Sequence, residues 1–194
     1  MKNNYFKNDT SHKKCNINDV TLFNSILRDI SFELSSLINT NICKSRINNF
    51  TFINSKINKC NFSNTELEKC YFKNSLISNS KTTGISFAEG ELKKTKFINS
   101  KINLSNFRFT GLKEVEFCKC DLSGADFQGA KLNKVSFIEC DLKNVDFSRV
   151  DFTKVDLRSS NIDGIKIDIN NLKELTIDSS QAVYITSLLG VNIK

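Results

Sequence analysis

Histidine is almost missing from this sequence: 194 residues contain one, His12. That leaves no imidazole pair for a zinc site, and no cysteine pair at CxxC spacing supplies one instead. A Gly-rich phosphate loop is also absent. No apolar run approaches the ~18 residues of a membrane span, and the N-terminus lacks the apolar core of a signal peptide. Catalysis needs groups converging in a cleft, and no such set can be assembled from these residues. The expectation is therefore a cytoplasmic chain that is not an enzyme, binds no cofactor or metal and does not enter a membrane.

What the sequence has is a five-residue rule. Between Leu112 and Leu157 a bulky apolar residue falls on every fifth position, as in Leu112, Phe117, Leu122, Phe127 and Leu132. Two residues earlier sits something small or β-branched, such as Val115, Cys120, Ala125 and Ala130, with a polar residue between. Extended outward, the register covers 33 positions from Ile17 to Ile177, of which twelve are Phe, eleven Leu and nine Ile. Thr82 alone breaks it. The small position holds Ser, Val, Cys, Thr, Ile or Ala except at Phe50, Gly90, Asn170 and Leu175. Five is neither the helical nor the strand period, so the backbone must turn a corner once per repeat.

The stretch Gly124-Ala125-Asp126-Phe127-Gln128-Gly129-Ala130 resembles the pentapeptide-repeat family, whose motif is small, Asp or Asn, Leu or Phe, then two mostly polar residues. The resemblance implies an all-β fold, a right-handed quadrilateral parallel β-helix of about eight coils, with bulky and small positions pointing inward. Residues 1–14 are expected to form an N-terminal cap, 15–178 the β-helix, and 179–194 a C-terminal helix and tail. Tyr5 and Phe6 are candidates to close the first coil. At the other end Asp178-Ser179-Ser180 offers a helix cap, Gln181 to Leu189 a helix and Gly190 a stop. Ala182, Ile185, Leu188 and Leu189 share one face of that helix. The ending Leu188-Leu189-Gly190-Val191 resembles the Qnr-type (quinolone-resistance) branch, which implies a homodimer through this end.

A 20-residue coil lets columns be read directly. Phe87, Phe107, Phe127 and Phe147 should stack, as should Phe97, Phe117 and Phe137, and Phe32, Phe52 and Phe72. Five cysteines, Cys15, Cys60, Cys70, Cys120 and Cys140, fall on the small inward position and read as core. Cys120 and Cys140 lie one coil apart, within reach of a disulfide. Thr82 marks an expected weak or bulged coil.

Two surfaces are candidates for a partner. Asp121, Asp126, Asp141, Asp146, Asp151 and Asp156 match the motif's aspartate. The Qnr-type resemblance implies that they imitate DNA toward a type II topoisomerase, DNA gyrase or topoisomerase IV. The formal net charge of +7 runs against a global imitation of DNA. The alternative is a scaffold that binds protein through apolar residues outside the core: Ile98, Cys118 and Ile138 in one column, with Leu104 and Phe109. Direct nucleic-acid binding by the basic N-terminal half ranks behind both.

Overall fold

A computed structural model describes residues 5–188 and 190. The chain winds into a parallel β-solenoid of about eight turns with one short C-terminal helix. Each turn has four sides. In one coil the first face carries the strand Glu91–Lys93 and the second Lys96–Ile98, while the third and fourth are centred on bridges at Lys101 and Asn106. All ladders are parallel with a 20-residue offset, as in Phe97↔Phe117↔Phe137.

The corners are made by a feature the five-residue rule did not include. Every fifth residue from Asp9 to Gly164 has a left-handed φ, between 48° and 69°. Glycine and asparagine tolerate that region best, and both recur there, as Asn54, Asn74, Gly84, Gly124 and Gly129. On the later third and fourth faces the corner closes as a type II turn, with the positive φ at its third residue. The Phe127 carbonyl accepts from the Ala130 amide at 2.9 Å across Gly129.

Inside, the bulky and small positions form one core, in which every phenylalanine on the five-residue register is buried. Two of the three columns stack as expected, except that Phe147 tilts 30° from Phe127. Phe97–Phe117 and Phe117–Phe137 have centroids 4.8 and 5.0 Å apart, with planes 13° and 4° from parallel. Phe107–Phe127 stands at 4.5 Å and 6°. The third column does not stack: Phe32–Phe52 is at 6.1 Å and 64°, and Phe52–Phe72 at 5.7 Å and 44°. Phe50 is the reason, because a ring in a small position lies parallel to Phe52 at 6.0 Å and displaces its neighbours. Buried serines at the small position are satisfied by the ladder. Ser55 Oγ donates to the Ile53 carbonyl at 2.7 Å and accepts from the Ser35 amide at 2.9 Å.

Thr82 does not bulge its coil. It is 2% exposed, and the bridges Asn61↔Lys81 and Lys81↔Lys101 keep the register through it. Its hydroxyl donates to the Lys101 carbonyl at 3.2 Å. A cavity of ≈ 10 Å³ bordered by Thr82, Phe62, Phe87 and Phe97 takes the place of the missing side chain.

The first coil starts at Thr10, earlier than the periodicity suggests: Thr10–Lys13 pairs with Ile30–Glu33. Phe6 is buried 5.4 Å from Phe32, and the His12 ring stacks on Phe32 at 5.1 Å. His12 is thus part of the closure at this end. At the far end one corner is skipped at Ile169, where a 3-10 turn, Ile169–Asn171, replaces the left-handed residue, and the next returns at Glu174, with φ of 64°. The helix runs Ser179–Leu188, starting two residues before the expected Gln181. Asp178 Oδ1 accepts from the Gln181 amide at 3.0 Å, and Gln181 Oε1 accepts from the Asp178 amide at 3.0 Å, a reciprocal capping box. Buried Gln181 also donates to the Leu157 and Ser160 carbonyls, both at 2.7 Å. Exposed strand edges invite association, and here those acceptors are covered.

Candidate docking edge between the third and fourth faces

The six aspartates do not form one strip. Asp121 and Asp141 bridge on the third face and Asp126 and Asp146 on the fourth, whereas Asp151 lies on the first face opposite Lys131 and Asp156 on the second opposite Ser136. Four of the six therefore lie on two adjoining faces, Asp126 and Asp146 just past the edge between them and Asp121 and Asp141 at the start of the third face. Each has a local task that sequence reading did not assign. Asp121 Oδ1 accepts from the Ser123 amide at 3.0 Å, Asp126 from Gln128 at 2.8 Å, Asp141 from Lys143 at 3.0 Å and Asp146 from Ser148 at 2.9 Å. These are Asx turns that set the corner. Asn106 does the same for Arg108 at 3.0 Å, so the turn needs a side-chain oxygen and not a charge. The Asn or Asp at the motif's second position was the available signal.

Two of the four are also partly neutralised. Arg108 reaches Asp126 at 3.3 Å and Lys166 reaches Asp146 at 3.3 Å. Burial pushes the Asp146 carboxyl up, but bonds from Ser148 and the Lys166 ammonium outweigh it and leave the group below its ordinary range.

The apolar candidates separate into two groups. Ile98, Cys118 and Ile138 are in register on the second face, with Ile138 37% exposed. Leu104 and Phe109 instead occupy the corners at either end of the fourth face, 65% and 52% exposed. Both have left-handed φ, 56° and 55°, a region unfavourable for bulky residues. Leu104 extends over Gly124, so close that a Cβ there would lie 2.9 Å from its Cδ2. Leu104 thus stands on the edge between the two faces that carry the four aspartates.

The helix candidates also divide. Ile185 is 8% exposed against the chain's own last coil, Ala182 is half-buried and Leu188 is exposed. Leu189 lies outside the described residues. Cys120 and Cys140 hold free thiols, and the Cys140 thiol is pushed up by its bond to Cys120 and by burial. Among the described residues no group of three His, Cys, Asp or Glu is placed to hold a metal ion. Among the described residues no helix is long and apolar enough to cross a membrane.

A filled four-sided solenoid presenting chemistry only on its outside is a repeat protein of the kind built for surfaces. The chain belongs to the pentapeptide-repeat family: residues 120–158 match the model described as pentapeptide repeats, in eight copies, and residues 54–127 match the pentapeptide repeat region. Among solved structures it is similar in fold to HetL, a pentapeptide repeat protein involved in heterocyst differentiation regulation from the cyanobacterium Nostoc sp. strain PCC 7120. That match has 13% identity over 84% of this chain and 87% of the other, with a TM-score of 0.54. A trypsin-treated variant of QnrB1, a plasmid-mediated fluoroquinolone resistance protein, is 19% identical over 95% of this chain and 100% of the other, with a TM-score of 0.48. No curated protein matches the chain.

Proposed function

We propose that the chain is a non-catalytic docking rod whose partner is a type II DNA topoisomerase, bound at the edge between the third and fourth faces. The observation that carries this reading is Leu104, held out at a left-handed corner between the faces that carry Asp121, Asp126, Asp141 and Asp146 in two columns. Asn103, Ser123, Lys143 and Asn144 stand immediately around Leu104, and the acid columns lie on the two adjoining faces. An exposed apolar anchor between acid-bearing faces suits a cationic partner surface, where complementary charge steers the encounter. The Qnr-type resemblance nominates the DNA-binding saddle of gyrase or topoisomerase IV as that surface. Imitation of DNA is then local, because Arg108 and Lys166 interrupt the acid. A homodimer through the C-terminal end is part of the proposal, with Val183 and Leu188 as the exposed apolar residues there.

The test is gyrase supercoiling under ciprofloxacin, titrated with the wild type and three variants. Leu104→Asp and the pair Asp126→Asn with Asp146→Asn should each weaken protection while leaving the protein folded. Asparagine keeps the Asx turn, and the pair should lower the melt only by what the Arg108 and Lys166 contacts contribute. Ile98→Asp with Ile138→Asp should have no effect. No protection by the wild type at any ratio would remove the topoisomerase. Loss only with the isoleucine pair would move the interface to the second face, where the in-register ladder from Ile98 to Ile138 favours a protein scaffold.

A further inference from the structure

The first face carries a column that the turns do not explain. Lys73, Lys93 and Lys113 stand in register on three adjacent strands, roughly 4.8 Å from one to the next. Like charges placed directly opposite on a sheet are destabilising. The stacked aspartates have their Asx turns as a reason, but a lysine at this position bonds no corner. Among the described residues Lys73 and Lys113 make no ion pair, while Lys93 holds Glu91 at 3.3 Å. Lys131 and Lys134 continue the basic surface on the next coil, also without an ion pair among the described residues. The acids beside this face are Glu114, which faces Lys94 at 3.9 Å, Glu89 in the corner column of Phe109, and Asp151 opposite Lys131.

Aromatic groups border the same face. Tyr71, half-buried on the strand Tyr71–Lys73, has the Lys93 ammonium 5.6 Å from its ring centre. Phe109 stands at the corner where the fourth face meets the first, 52% exposed, with the Arg108 guanidinium 5.6 Å from its ring. Cations that track along a flat strand surface beside one exposed and one half-buried ring match the chemistry of single-stranded nucleic-acid binding. There, phosphates take the charges and bases stack on the rings. We infer that the first face is a sequence-independent binding surface for single-stranded nucleic acid, with Lys73, Lys93 and Lys113 on the backbone and Tyr71 and Phe109 offered to bases. This surface lies away from the edge between the third and fourth faces, so the inference does not depend on the topoisomerase reading.

Fluorescence anisotropy with a labelled, mixed-sequence single-stranded oligonucleotide tests it. The wild type should bind at low salt, with the logarithm of affinity falling linearly against the logarithm of salt. Lys73→Glu with Lys113→Glu should weaken binding by at least about tenfold and flatten the salt slope by about 1.4, the loss of two phosphate contacts. Lys73→Gln with Lys113→Gln should act in the same direction with a smaller effect. The control is Lys81→Glu with Lys101→Glu, a lysine pair in register on the third face that changes net charge equally and should leave affinity within about twofold. Leu104→Asp should also leave it unchanged. Equal losses in both glutamate pairs would reduce the effect to net charge and overturn the assignment, as would no binding at low salt. Equal affinity for duplex would remove the single-strand preference. Displacement by polyglutamate at matched charge would make the face an acidic-protein site instead.

Discussion

The rings of Phe107 and Phe127, one coil apart, lie with centroids 4.5 Å apart and planes 6° from parallel. Phe127 also meets Phe117 and Phe137 edge-on, at 6.3 and 5.9 Å. Removing that ring opens a hole that the neighbouring coils cannot close, because the ladder fixes their spacing. Phe127→Ala should lose about 3–5 kcal/mol. Gln128→Ala, one residue outward, should lose under about 1 kcal/mol. Urea melts of the two variants, run side by side, check the inward register.

At the C-terminal end the inward and outward sides of the helix should separate. Gln181→Ala leaves the Leu157 and Ser160 carbonyls without their donor, at a cost of about 1–3 kcal/mol. Val183→Glu with Leu188→Glu should leave the melt unchanged and turn a sedimenting dimer into a monomer. A wild type that already sediments as a monomer at micromolar concentration removes the dimer.

Acid should weaken the C-terminal half in a defined direction. The Arg158 guanidinium holds the Asp156 carboxyl below its ordinary range, and bonds from Ser148 and Lys166 hold Asp146 there against burial. A depressed folded-state value means that these groups stabilise the fold at neutral pH and lose that contribution as pH falls through it, below about 4. The urea midpoint should therefore drop between pH 7 and pH 3. Asp146→Asn with Asp156→Asn should show a smaller drop, having no charge to lose.

Thiol labelling reads the core from another side. Burial pushes the Cys70 thiol up to about 12 and raises Cys60, and a buried thiol is a poor nucleophile. Iodoacetamide on the native protein should modify only the half-buried Cys15, Cys43 and Cys118. In denaturant all seven cysteines should react. Mass spectrometry that finds Cys120 and Cys140 protected even in denaturant would indicate a disulfide between them.

Much of the fold was legible because a parallel ladder places residues 20 apart on top of one another, so a column in the text is a column in space. Legibility failed where one residue changes its neighbours. Phe50 obeys the burial rule and breaks the stacking rule, since a ring at a small position competes with Phe52 for the same interior. Thr82 breaks the apolar rule and leaves the backbone intact, because ladder bonds hold the coil whatever fills it. The surface was harder to read. The 20-residue spacing already takes Asp151 and Asp156 half a turn from Asp141 and Asp146, but matching each aspartate to the motif alone hides it. Lysine partners depend on rotamers that no spacing encodes.

One corner per five residues gives insertions an angular meaning. Adding five residues after Phe109 would preserve every inward position and every type of corner, and the core would re-form. Everything downstream, however, would be displaced by a quarter turn. Asp121 would leave the column of Lys101 for that of Asn106, and Gly124 would no longer lie beneath Leu104. Adding twenty would lengthen the rod by one strand spacing, about 4.8 Å, and restore every column. Length and facing are thus separately adjustable in this chain, the first in steps of twenty residues and the second in steps of five.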